Sequence, residues 1–151
     1  MLPSPRSKET PHVDVLSAEI GRSVVALNQP WRFQIGDSPL DPATQRPVSA
    51  EPNFDDSEWE NLDLTSASGA TDPLVGAAGY VTGWTAKGHR GYWGYAWYRI
   101  HVRLTAQSGD NLALAGPADV DDGYQVFANG ILLGTFGNFS GSGLSSCYTT
   151  R

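Results

Sequence analysis

The sequence predicts an all-β fold, in which seven or eight short strands form separate sheets packed face to face. Three observations carry this expectation. Between residues 95 and 104, Ala96, Tyr98, Ile100, Val102 and Leu104 alternate with Trp97, Arg99, His101 and Arg103, a period of two that no helix keeps. Asn129-Gly130, the favoured pair for a two-residue type I′ turn, lies between the apolar runs 124–128 and 131–136. Seventeen Gly and ten Pro in 151 residues suit many turns and oppose long helices.

Residues 1–12 are rich in Pro, Ser and charge without periodicity, which predicts a tail or linker before a single β-sandwich over 13–140. Val13, Val15 and Leu16 open a first strand, and Val24, Val25 and Leu27 a second. Trp31, Phe33 and Ile35 alternate with Arg32 and Gln34, the pattern of a third strand with one buried face. Gly36-Asp37-Ser38-Pro39 ends it, and residues 37–56 form a long polar loop. Ser57 and Glu60 have capping-box spacing, so one helical turn is expected over 57–61, followed by a short strand at Leu62 and Leu64. A Gly-rich connection over 65–94 is long enough to suggest a functional loop. Leu112 and Leu114 mark a further strand ahead of the hairpin. Residues 137–146 are rich in Gly, Asn and Ser, and 141–151 read as a frayed or truncated end. A sandwich ending there leaves an edge strand unpaired, so either another chain covers it or the sequence belongs to a longer protein.

Composition narrows the function classes. Leu, Ile, Val and Phe total 32 residues, a thin aliphatic core offset by five Trp and six Tyr. Sixteen acidic against ten basic side chains give a net charge of −6, the wrong sign for a nucleic-acid binder. No apolar run approaches the roughly 20 residues that span a bilayer, and the N-terminal stretch has no apolar h-region. The single Cys147 excludes an internal disulfide and a Cys-based zinc site.

The most unusual stretch is 76–98, with six Gly and seven aromatics: Tyr80, Trp84, Tyr92, Trp93, Tyr95, Trp97 and Tyr98. Aromatic faces stack on the C–H faces of sugar rings, and Lys87, His89 and Arg90 between them offer hydrogen bonds to hydroxyls or a carboxylate. This predicts a ligand site on the 80–95 loop from Trp84, Lys87, His89, Arg90, Tyr92 and Trp93. The competing use, and the commoner one, is that the rings fold back over an open end of the sandwich. Asp119, Asp121 and Asp122 offer three carboxylates for Ca²⁺, but the twelfth position from Asp119 is Gly130, where an EF-hand needs a bidentate Glu. A capped or solvated turn is their commoner use; a Ca²⁺ site of other geometry stays open, and no other cofactor is expected.

Catalytic signatures are missing from the sequence. Ser140, Ser142 and Ser145 fail the G-x-S-x-G elbow, and there is no P-loop or dinucleotide fingerprint. His12, His89 and His101 lack metal-ligand spacing and read as surface residues. The chain is too short for the barrel of about 250 residues that carries many glycosidase sites. A non-catalytic domain is the expectation.

Three clusters in order add a family resemblance. They are Trp31 to Asp37 followed by Phe54-Asp55-Asp56-Ser57-Glu58-Trp59; Tyr95-Ala96-Trp97-Tyr98-Arg99; and Asp121 to Gly130, with Asn129-Gly130 as its turn. This order resembles the galactose-binding-like jelly-roll domain, above all the sugar-binding domain at the N-terminus of family 2 glycoside hydrolases, and related extracytoplasmic sensor domains of bacterial signalling proteins. It spans roughly residues 24–140 and departs from the family pattern after Phe139, where the closing strands of a jelly roll are not legible. The resemblance implies a jelly-roll β-sandwich lacking its last strands, an extracytoplasmic setting, and a carbohydrate or a protein domain as partner. It implies one of three roles: a carbohydrate-recognition module, a sensor, or an accessory domain detached from a hydrolase whose catalysis resides in another domain. Within these motifs, Asp55 and Asp56 are expected to cap the helical turn, Trp59 to anchor it, and Arg99 to pair with a loop carboxylate.

Overall fold

A computed structural model describes residues 13–19, 24–71, 76, 78, 83–84, 87–105, 112–115 and 123–137. The expected tail, Tyr80, Asp119, Asp121, Asp122 and the C-terminal end lie outside the described residues. Those described form an all-β structure of seven strands, with one 3₁₀ turn at Val48–Ala50 and no α-helix. They fall into two compact units, one drawn from the spans 1–37 and 55–107, the other from 38–54 and 108–151.

The first unit holds β1 (Val15–Glu19), β2 (Trp31–Ile35), β3 (Glu60–Leu62), β4 (Ala96–Arg99) and β5 (His101–Thr105). β2 is the centre of a three-stranded antiparallel sheet, flanked by β3 and β4. The alternation of its sequence is realised: Phe33 is buried at 1% exposure while Gln34 faces outward. The Phe33 ring packs against Tyr98 of β4 at 4.9 Å between centroids. Burial pushes the Tyr98 phenol above its ordinary value of 10.0.

The single strand expected over 95–104 is in fact two. The chain leaves the antiparallel ladder with β2 at Arg99, passes through Ile100, and enters a parallel ladder with β1 at His101. Period-two alternation reports an extended backbone but not its partners, so a change of sheet within one extended run is invisible to it. Three other expectations are corrected. Val24, Val25 and Leu27 form no strand, and Val24 is 95% exposed. The backbone there serves single contacts instead of a ladder: Leu27 O accepts from Trp31 Nε1 at 2.6 Å, and Asn28 O accepts from Leu64 N at 2.8 Å. Leu64 therefore lies beyond the end of β3. Leu112 and Leu114 lie in irregular chain and are half exposed.

No helical turn forms over 57–61. Asp55 Oδ1 accepts the Ser57 N–H at 3.1 Å, and Trp59 N donates to Asp56 O at 3.0 Å, closing a tight turn that feeds Glu60 into β3. The residues that would cap a helix cap a turn instead, because a β-strand follows at once. Asp41 and Asp63 act alike: Asp41 Oδ1 accepts from the Ala43 and Thr44 N–H groups, and Asp63 Oδ1 from Thr65 N.

These bonds favour the ionised carboxylates. Asp41 is held below the ordinary 3.8 chiefly by the Thr44 N–H, Asp55 by the Ser57 side chain, and Asp63 by the Thr65 side chain. A folded-state value below the unfolded one contributes stability above about pH 3.8 and loses it as pH falls through the depressed values. The urea midpoint is therefore expected to drop between pH 4 and pH 2. Replacing all three by Asn, which still accepts those bonds while uncharged, should flatten the drop; an unchanged slope would count against the caps.

The second unit centres on the hairpin β6 (Tyr124–Ala128) and β7 (Ile131–Phe136). Asn129 and Gly130 have φ of 49° and 78°, both positive as a type I′ turn requires. The register runs from Phe127↔Leu132 to Val126↔Gly134, so Leu133 is an extra residue, a β-bulge. The Tyr124 and Phe136 rings stack across the strands at 4.7 Å. In the 38–54 segment the buried Ser38 hydroxyl accepts from Ser49 N at 2.9 Å, and Arg46 reaches Gly130 O at 3.4 Å.

Candidate binding loop and charge cluster

The loop that precedes β4 is built on turns. Trp84 O accepts from both Lys87 N at 3.0 Å and His89 N at 3.1 Å, and Tyr92 N donates to His89 O at 3.3 Å. Trp84 and Tyr92 meet edge to face at 5.9 Å. The Tyr92 hydroxyl then reaches Tyr95 O at 2.6 Å, crossing Gly94, where a Cβ would stand 2.9 Å from that hydroxyl oxygen. Gly94 has φ of 148°, so both its conformation and its bareness are used. With Tyr92 turned to its own chain, Trp93 is sent outward and is 91% exposed. A tryptophan so fully exposed loses the area that usually stabilises it, which makes it informative.

The six expected site residues therefore separate. Trp84 and Tyr92 contact one another; Trp93, Lys87 and Arg90 are exposed. Lys87 Nζ makes a long 3.5 Å contact to Asp63 O. His89 turns inward, its ring 5.3 Å from Phe33. Its buried Nε2 lies 2.9 Å from Glu60 Oε1 but without the geometry of a hydrogen bond. His89 thus tethers the loop to β2 and β3 instead of facing a ligand. The expectation of a surface histidine fails because its partners, Phe33 and Glu60, are distant in sequence.

A second constellation surrounds the point where the chain changes sheet. Asp56 Oδ2 accepts from Arg99 Nε at 2.8 Å and lies 3.1 Å from His101 Nε2. The side chains of Asp56 and Arg99 are only 5% and 10% exposed. Asp56 is the loop carboxylate that Arg99 meets, so it does not cap a helix. Arg32 stands directly opposite Arg99 in the β2–β4 register and makes a 3.4 Å ion pair with Asp14. Two facing cations are thus each matched by a carboxylate from outside the sheet. His101 was the residue least legible here, since Asp56 is 45 positions away. Among the described residues, no group of three or more His, Cys, Asp or Glu could hold a metal ion.

No protein-family model matches the chain, and no curated protein or solved structure matches it either.

Proposed function

We propose that the chain is a non-catalytic recognition module of the galactose-binding-like jelly-roll type, which binds carbohydrate through the loop before β4. The observation that carries this reading is Trp93, whose indole is open to solvent on a loop otherwise tied down by Tyr92 and His89. A fixed loop presenting a bare indole is preorganised to stack on a sugar ring, with little ordering left to pay for on binding. Exposed Lys87 and Arg90 lie nearby in the same loop as donors to ring hydroxyls. Trp84, held by Tyr92, positions the loop and does not touch the ligand.

The test is a fluorescence titration against mono- and polysaccharides. A saturable response is expected, weakened at least about tenfold in Trp93→Ala, as for an exposed aromatic anchor. Melting should be unchanged, because the side chain buries almost nothing. Binding that survives Trp93→Ala, or no binding by a folded sample, would discard this site. A second reading, a sensor or protein-interaction domain, is favoured by a different observation: the half-exposed Ile131, Leu132, Leu133 and Phe136 of the hairpin.

A further inference from the structure

We infer that the saccharide taken by the loop before β4 is an acidic one, and that Arg90 receives its carboxylate. The inference rests on the reading of this loop as a carbohydrate site and names the class of sugar. Charge is unevenly divided along the sequence. No acidic residue occurs between Asp72 and Asp110, while four of the ten basic side chains lie there: Lys87, Arg90, Arg99 and Arg103. The rest of the chain has sixteen acidic against six basic groups. A stretch of this sign draws an anion to a chain whose net charge of −6 otherwise repels one.

The structure singles out one of these cations. Arg99 is taken by Asp56, and Arg103 lies on β5. Two acids approach the loop from β3 and its exit, and each meets a residue other than Arg90. Glu60 Oε1 stands 2.9 Å from His89 Nε2; the Asp63 backbone O lies 3.5 Å from Lys87 Nζ, and the Lys87 charge helps keep the Asp63 carboxylate ionised. Arg90 is exposed, and among the described residues it makes no hydrogen bond or ion pair. Its backbone is nevertheless fixed. Tyr92 N donates to His89 O at 3.3 Å, which puts Arg90 and Gly91 at the corner of a turn, and Gly91 has the positive φ of 78° suited to the third position. On one side His89 packs against Phe33; on the other Tyr92 is bonded to Tyr95 O. Trp93 follows Arg90 by three positions, so their Cα atoms are at most about 11 Å apart, a span that one or two pyranose rings cover. The indole suits the C–H face of a ring. The planar guanidinium fork suits a carboxylate better than a hydroxyl, because it makes two parallel bonds to the two oxygens. A uronate carries both features on one ring.

Fluorescence titration of the full chain with oligosaccharides of galacturonate, glucuronate and mannuronate, each beside its methyl ester, tests this. Esterification removes the charge and keeps the ring. At least one acid is expected to bind about tenfold tighter than its ester, as a charge-assisted hydrogen-bonded pair provides. That preference should shrink as salt rises from about 10 to about 200 mM, and it should vanish in Arg90→Gln, whose affinity for the ester stays that of the wild type. Arg90→Gln should also melt with the wild type, because the side chain is exposed. Esters bound as tightly as acids overturn the inference and leave the loop a site for neutral sugar. A preference for the acid that survives Arg90→Gln overturns it as well, since the carboxylate is then held elsewhere. A folded sample that binds neither acids, esters nor neutral sugars removes the carbohydrate reading itself, and this inference with it.

Discussion

Replacing Asp56 by Ala is expected to destabilise the first unit by about 3–5 kcal/mol, the usual cost of removing one partner from a buried ion pair. The carboxylate is 5% exposed and serves two donors at once, Arg99 Nε at 2.8 Å and His101 Nε2 at 3.1 Å. Since a carboxylate only accepts, the imidazole must carry its proton on Nε2. Deleting the carboxylate takes this anion away from the buried guanidinium, directly opposite Arg32 in the neighbouring strand. The attraction of the pair itself is not what makes the loss large; taking an anion from a guanidinium held away from solvent is. The double variant Asp56→Ala/Arg99→Met should therefore be more stable than Asp56→Ala alone, by roughly 1–3 kcal/mol. Urea midpoints for the four members of this cycle would decide it. Additive losses would mean that the cations are solvated and that the cluster contributes little.

That cluster marks where sequence reading stopped. Local signals were legible: the Asn129-Gly130 turn, the alternation of β2 with Phe33 inward, and the absence of α-helix among the described residues all rest on interactions within a few positions. The meeting of Asp56 with Arg99 and His101 joins positions more than 40 apart, and no spacing rule reaches that far. The same limit explains the helical turn expected at Ser57. Capping-box spacing and an Asx turn share their residues, and only the partners of Glu60, which are β2 and the His89 loop, decide between them.

The loop before β4 was half legible for a related reason. Composition singled out the aromatic, Gly-rich stretch, but it could not rank Trp84, Tyr92 and Trp93 among themselves. Their ranking depends on one bond, Tyr92 Oη to Tyr95 O, which turns one ring inward and its neighbour outward. Gly94 makes room for that bond, so the informative residue of the loop is one with no side chain.

Phe33→Ala is expected to be as costly as the loss of Asp56, about 3–5 kcal/mol for a buried Phe. Phe33 is the one large side chain fully buried among the described residues, at 1% exposure. Its ring meets both Tyr98 of β4 and His89 of the loop before β4. Truncation opens a cavity and also frees the tether that orients the loop, so stability and loop order should fall together. Phe33→Leu, which refills most of the volume, should cost less and keep the loop in place. Thermal unfolding reads the first effect. Nuclear relaxation of the Gly91 and Trp93 amides, whose order parameters should fall in Phe33→Ala and hold in Phe33→Leu, reads the second. If the amides loosen equally in both variants, ring-to-ring contact with His89 matters more than volume. If they loosen in neither, the loop is held by Tyr92 and Trp84 alone, and the core does not reach the site.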